Sequence, residues 1–138
     1  MSTVIRAKLS DANPYWISKH RYYELKHFCL QYPEWKKLYS AGVNTMKSPN
    51  FSRGGISKNV LDPVGDTSVR IESYSRRMKM VEQTAIETDP ELYSYILRSV
   101  TEGCSYVALR TYLGIPCGRD YFYERYRRFF WLLDRVRE

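Results

Sequence analysis

Apolar and polar positions recur along most of this chain with the 3–4-residue spacing of amphipathic helices. After a loose opening arm of about a dozen residues, Ser18 is placed to cap a first helix on which Tyr22, Leu25, Phe28 and Cys29 share one face. Lys19, Arg21 and Lys26 fall on the other side, with Tyr23 near the edge. Pro33 suits the first position of a short second helix through Tyr39, where its missing N–H costs little. Large apolar residues then thin out. From Ala41 to Asp66 the chain turns to Gly, Ser, Asn and Pro, the composition of a connector.

Asp66 or Thr67 can cap a long helix reaching about Thr88, with Ile71, Tyr74, Met78, Val81 and Ala85 alternating three and four apart. Such a seam serves either as an internal packing face or as a homodimer interface, and two heptads do not decide between them. Asp89-Pro90 ends that helix and offers an N-cap and N1 to the next, which runs from about Leu92 to Gly103. Ser105 then caps a short helix with Leu109 and Leu113 four apart, and Val107 or Ala108 available to fill the gap toward its neighbour. Gly103 and Gly114 stand where left-handed C-terminal caps are needed. Ile115 is an apolar plug in the turn that follows, and Pro116 prevents the earlier helix from continuing. A last helix lines up Phe122, Tyr126, Phe129, Phe130 and Leu133 in a stripe that can close a three-helix core.

The pattern therefore predicts an all-α chain in three parts. Residues 1–40 form a basic aromatic helical segment, 41–66 a flexible connector, and 67–138 a long helix leading into a three-helix helix-turn-helix unit. In a DNA-binding unit of this kind the outward residues early in the second motif helix reach base edges. Here those are Asp120, Glu124, Arg127 and Arg128, flanked by Tyr121 and Tyr123, with Arg135 farther on. Arginine can grip guanine and carboxylates can accept from cytosine. The same residues also fit the solvated face of an ordinary amphipathic helix, with Asp120 favoured by the N-terminal dipole.

Charge adds a modest pointer to an acidic partner. The 138 residues carry a formal net charge of +7. Residues 1–67 hold 10 Lys/Arg against 5 Asp/Glu, residues 68–102 hold 5 against 6, and residues 103–138 hold 7 against 4. Lys19, Arg21 and Lys26 are thus candidates for phosphate contacts that position without reading sequence. Aromatics make up 15% of the chain, which argues against disorder.

Other chemistry is sparse. Cys29, Cys104 and Cys117 make neither a disulfide framework nor a zinc spacing, which favours a reducing cytoplasm. His20 and His27 lie seven apart without ligand partners at metal spacing. No phosphate loop, nucleophile elbow or carboxylate pair appears, so neither an enzyme nor a cofactor is expected. No apolar run approaches the roughly 20 residues of a membrane span, and no signal peptide opens the chain.

The run TEGCSYVALRTYLGIPCGRDYFYERYRRFFWLL, with its glycine before the first motif helix, Ser105-Tyr106 opening, Leu-Gly-Ile turn and aromatic/Arg last helix, resembles a known family. It is similar to the C-terminal helix-turn-helix of phage-encoded late-gene transcription activators of the ArpU/RinA type, themselves like region 4 of sigma factors. The resemblance covers the last 50 to 70 residues, about half of the chain. It implies a phage or prophage regulator in the bacterial cytoplasm that binds duplex DNA, with host RNA polymerase as a further partner. Arg119, Asp120, Tyr123, Glu124, Arg127 and Arg128 would lie on or near the DNA-facing helix, with Ser105 and Arg110 of the preceding helix toward the backbone. The family's usual Ser or Thr before that helix is replaced here by Cys117-Gly118, which removes a side-chain cap. Two other readings stay open: a module that binds or inhibits a host protein such as RNA polymerase or a defence enzyme, and a small-terminase-like DNA packaging protein.

Overall fold

The computed structural model describes residues 14–47 and 64–137, and every regular element among them is helical. The first, α1 (Lys19–Leu30), starts where the Oγ of Ser18 accepts from the Arg21 amide at 3.3 Å. It buries the expected face of Tyr22, Leu25, Phe28 and Cys29. One residue later comes α2 (Tyr32–Lys47), with Pro33 in its first turn. This helix runs well past Tyr39, so 41–47 is helical rather than connector. Local glycine does not stop it because Gly42 is a packing position: a Cβ there would lie 2.8 Å from the Cγ1 of Ile71. Tertiary contact overrides the low helix propensity of glycine.

The long α3 (Val64–Thr88) begins directly after Pro63 in the sequence, so Asp66 and Thr67 lie inside its first turns instead of capping it. What remains of the expected connector, 48–63, and the opening arm lie outside the described residues.

The chain forms two compact units, and their division differs from the expected one at 40 and 66. One unit is Tyr32–Lys79; the other joins residues up to Gln31 with those from Met80 onward. In the former, Trp35 is buried and the guanidinium of Arg77 sits 5.8 Å from its ring centroid. The α3 seam is shared out between them. Ile71, Tyr74 and Met78 are half-buried in one, while Val81 and Ala85 are fully buried in the other. At Val81 and Ala85 the seam is internal packing.

The larger unit adds α4 (Tyr93–Glu102), α5 (Tyr106–Leu113) and α6 (Arg119–Arg137). The α6 stripe of Phe122, Tyr126, Phe129, Phe130 and Leu133 is buried as expected. Each large side chain fully removed from water here contributes roughly 1.5–3 kcal/mol. The core is not closed by three helices alone, however, since α1 seats its apolar face on α6 and α4. Tyr22 meets Phe130 edge-on at 5.1 Å, and the phenols of Tyr22 and Tyr126 lie 3.3 Å apart. Arg137 stacks 3.9 Å from the Phe28 ring centroid. Arg21 donates from Nε to the Asp134 carboxylate at 2.6 Å and from Nη2 to the Asp134 carbonyl at 3.3 Å. The first segment and the last helix therefore share one core, because each buries its apolar stripe against the other. Burial pushes the Tyr22 phenol up to about 12 and the Cys29 thiol higher still above its usual range.

The glycine caps behave as the sequence predicts. Gly103 (φ 76°) and Gly114 (φ 64°) both adopt the left-handed conformation, and their amides donate to the carbonyls of Ser99 and Arg110. At the α3–α4 junction Asp89 does not cap α4 itself. Its Oδ1 accepts from the amides of Glu91 and Leu92, holding a turn from which α4 starts at Tyr93.

Candidate nucleic-acid interface

The segment α5–turn–α6 has the form of a helix-turn-helix. Ser105 caps α5 by accepting from the Ala108 amide at 3.2 Å. From α5, Tyr106 and Leu109 enter the core. Ile115 plugs the turn at 3% exposure, its amide donating to the Leu109 carbonyl at 3.3 Å. The Tyr106 hydroxyl donates to the Cys117 carbonyl at 2.6 Å, tying the far side of the turn to the start of α5. The expected roles of Val107 and Leu113 do not hold, since both are exposed and Ala108 is only half-buried. An eight-residue helix presents just over two turns, and Tyr106 and Leu109 already occupy its inward arc.

At the start of α6, Phe122 donates to the Gly118 carbonyl at 3.1 Å, so Gly118 takes the capping position without a side chain to offer. Asp120 in the first turn complements the helix dipole instead. Arg119 and Asp120 are exposed, and the Arg119 guanidinium rides 5.9 Å from the Tyr123 ring centroid. Tyr123 is half-buried, its phenol oxygen accepting from the Tyr106 amide at 3.3 Å. On α5, Ser105 and Arg110 are exposed, and Arg110 donates to the Tyr106 hydroxyl at 3.3 Å.

Other candidates turn toward the protein. Tyr121 is exposed, but its hydroxyl donates to the Oδ2 of Asp89 at 3.0 Å, a bond that raises its pKa. Glu124 is half-buried and gripped by Arg125, which approaches one carboxylate oxygen with both Nε and Nη2 at 2.7 Å. Arg127 and Arg128 are half-buried, each with a buried Nε that finds no hydrogen-bond partner among the described residues, and Arg128 lies 6.0 Å from the Tyr15 ring centroid. Arg21 is committed to Asp134 and Glu24, so it is not the outward phosphate contact expected of it. A helical wheel places it away from the apolar face, but that side meets the last helix rather than water.

Lys19 is exposed and Lys26 is poised about 6 Å from the rings of Tyr22 and Tyr23. The contacts of α1 with α6 fall at Tyr126, Phe130, Asp134 and Arg137. A 19-residue helix is about 28 Å long. Sequence reasoning passed over Arg125, whose Nη1 also donates to the Thr88 carbonyl at 3.3 Å, and the second oxygen of Asp89. Arg125 sits four residues after Tyr121, a spacing that puts the two on one helix face.

Among the described residues no group of three His, Cys, Asp or Glu gathers at metal-binding distance, and no helix is long and apolar enough to cross a membrane. No protein-family model, curated protein or solved structure matches the chain.

Proposed function

We propose that this chain binds duplex DNA through α5–turn–α6 and serves as a sequence-reading transcription regulator of phage or prophage, acting in the bacterial cytoplasm. The observation that carries the reading is the opening of α6. Its apolar stripe is buried, its turn is fixed by Gly114 and Ile115, and Arg119 and Asp120 are left outward beside the exposed Ser105 and Arg110 of α5. In this reading α5 meets the sugar-phosphate backbone, and the first turns of α6 enter the major groove with Arg119 as the guanine-directed or phosphate-directed cation. Lys19 and Lys26 contribute to the salt-dependent attraction of a basic chain.

A second reading has its own support. Val107 and Tyr112 are exposed on α5, the latter at 82%, and apolar surface of this kind suits a protein partner such as host RNA polymerase.

Fluorescence anisotropy with labelled duplex at two salt concentrations separates the two. Binding through several phosphates should weaken with a log–log slope of roughly 0.9 per neutralised phosphate. Arg119→Ala should cost about 1–3 kcal/mol of specific binding if it contacts a base. Absence of binding by micromolar protein at low salt would reject the DNA reading in favour of the protein-contact one.

A further inference from the structure

We propose that Arg125 is a positioning residue for the interface, holding the Glu124 carboxylate in an internal ion pair so that this acid does not oppose the phosphates of bound DNA. The inference rests on the DNA reading above. On the sequence alone, Glu124 and Asp120 are adverse features of a DNA-facing helix, one turn apart at i and i+4. Only Asp120 sits in the first turn, where the helix dipole favours it. Glu124 lies a turn deeper, and Arg125 compensates its charge.

The geometry shows why Arg125 can do this. Its guanidinium is fixed on three sides. Nε and Nη2 close on one Glu124 oxygen at 2.7 Å, Nη1 donates to the Thr88 carbonyl at 3.3 Å, and the plane lies 5.4 Å from the Tyr121 ring centroid. Thr88 is the last residue of α3, and no basic residue stands in that helix's last turn, so Arg125 serves as the cation at its C-terminal end. Tyr121 is itself anchored by its bond to Asp89, which is buried in the α3–α4 junction. The Arg125 side chain is only 19% exposed, against 38% for Glu124. A cation pinned in this way has little freedom to leave Glu124 for a phosphate, and its pull holds the carboxylate toward the protein. A lysine would supply the charge but not the planar fork that meets a carboxylate and a carbonyl together.

A double-mutant cycle on the full chain tests this, read as affinity for random-sequence duplex at low salt, with helix content by circular dichroism as the folding control. Arg125→Met is expected to weaken binding about tenfold, Glu124→Gln alone to change it less than about twofold, and the double variant to recover most of the loss, as expected for residues in direct contact. A general effect of net charge would make Glu124→Gln equally favourable in both backgrounds, and that additivity would overturn the proposal. So would an Arg125→Met variant that binds like the original chain. If Arg125→Met loses helix content, Arg125→Lys is used in its place. It keeps the charge and is expected to show a smaller loss, again recovered by Glu124→Gln. Loss without recovery would assign Arg125 a purely architectural role and overturn the proposal. Failure of the unmodified chain to bind any duplex would instead remove the DNA reading, and this inference with it.

Discussion

Replacing Gly114 by alanine isolates one term of the turn's energetics. The residue has φ 64° and ψ 42°, and a Cβ built on it meets nothing within 4 Å among the described residues. Steric clash with neighbours therefore contributes nothing, and the cost is that of holding an L-residue in the left-handed region, roughly 1–2 kcal/mol. Against this, alanine restricts the unfolded chain and recovers about 0.4–1 kcal/mol. The net destabilisation is about 1 kcal/mol, or a fall in melting temperature of about 3–5 °C for a chain of this size. Asparagine tolerates the same region better, so the order of stability should be Gly, then Asn, then Ala. Thermal unfolding followed by circular dichroism reads all three. An alanine variant as stable as the original, or an asparagine variant worse than alanine, would refute the claim that the left-handed cap fixes this turn. Gly103, with φ 76° and equally open surroundings, should repeat the order.

Phe130→Ala, at a site 2% exposed between Tyr22, Tyr126 and Phe129, should cost about 3–5 kcal/mol in denaturant unfolding. The Tyr22→Phe/Tyr126→Phe double variant should be less destabilised than the two single changes predict by addition, because Tyr22→Phe alone takes from the buried Tyr126 hydroxyl its partner. Burial raises the folded-state pKa of Tyr22 from 10.0 to about 12. Its contribution to stability is thus complete below pH 10 and is lost as pH rises through about 12, which denaturant titrations across that alkaline window can follow. Thiol labelling of the native protein should reach the half-buried Cys104 and Cys117 and spare Cys29 until the chain unfolds, as mass spectrometry would show.

The local parts of this fold are legible from short windows of sequence. Ser18 and Ser105 cap, Gly103 and Gly114 terminate, and the α6 stripe is buried, because each of these depends on neighbours within a turn or two. Long-range pairings leave no such trace. Periodicity shows that Tyr22, Leu25 and Phe28 want a partner but not that α6 supplies it, and it assigns Arg21 to the outside when Asp134 waits there. Helix α2 outruns Tyr39 because Gly42 fits against Ile71, a contact between residues 29 positions apart. At the opening of α6, the outward placement of Arg119 and Asp120 follows from the helical wheel. The bond from Tyr121 to Asp89 and the Arg125–Glu124 pair do not, since both depend on what the end of α3 offers.

The bond from Arg21 to Asp134 spans 113 residues of sequence. During synthesis, α1 emerges with Leu25 and Phe28 uncovered, and its face is not fully covered until both α4 and α6 have left the ribosome, so the interval before closure is one of exposure to chaperones and to aggregation. The entropy of closing so long a loop grows only slowly with its length, which makes this arrangement cheap at equilibrium and slow to reach. A chain cut short within its last helix would leave the first one only partly covered.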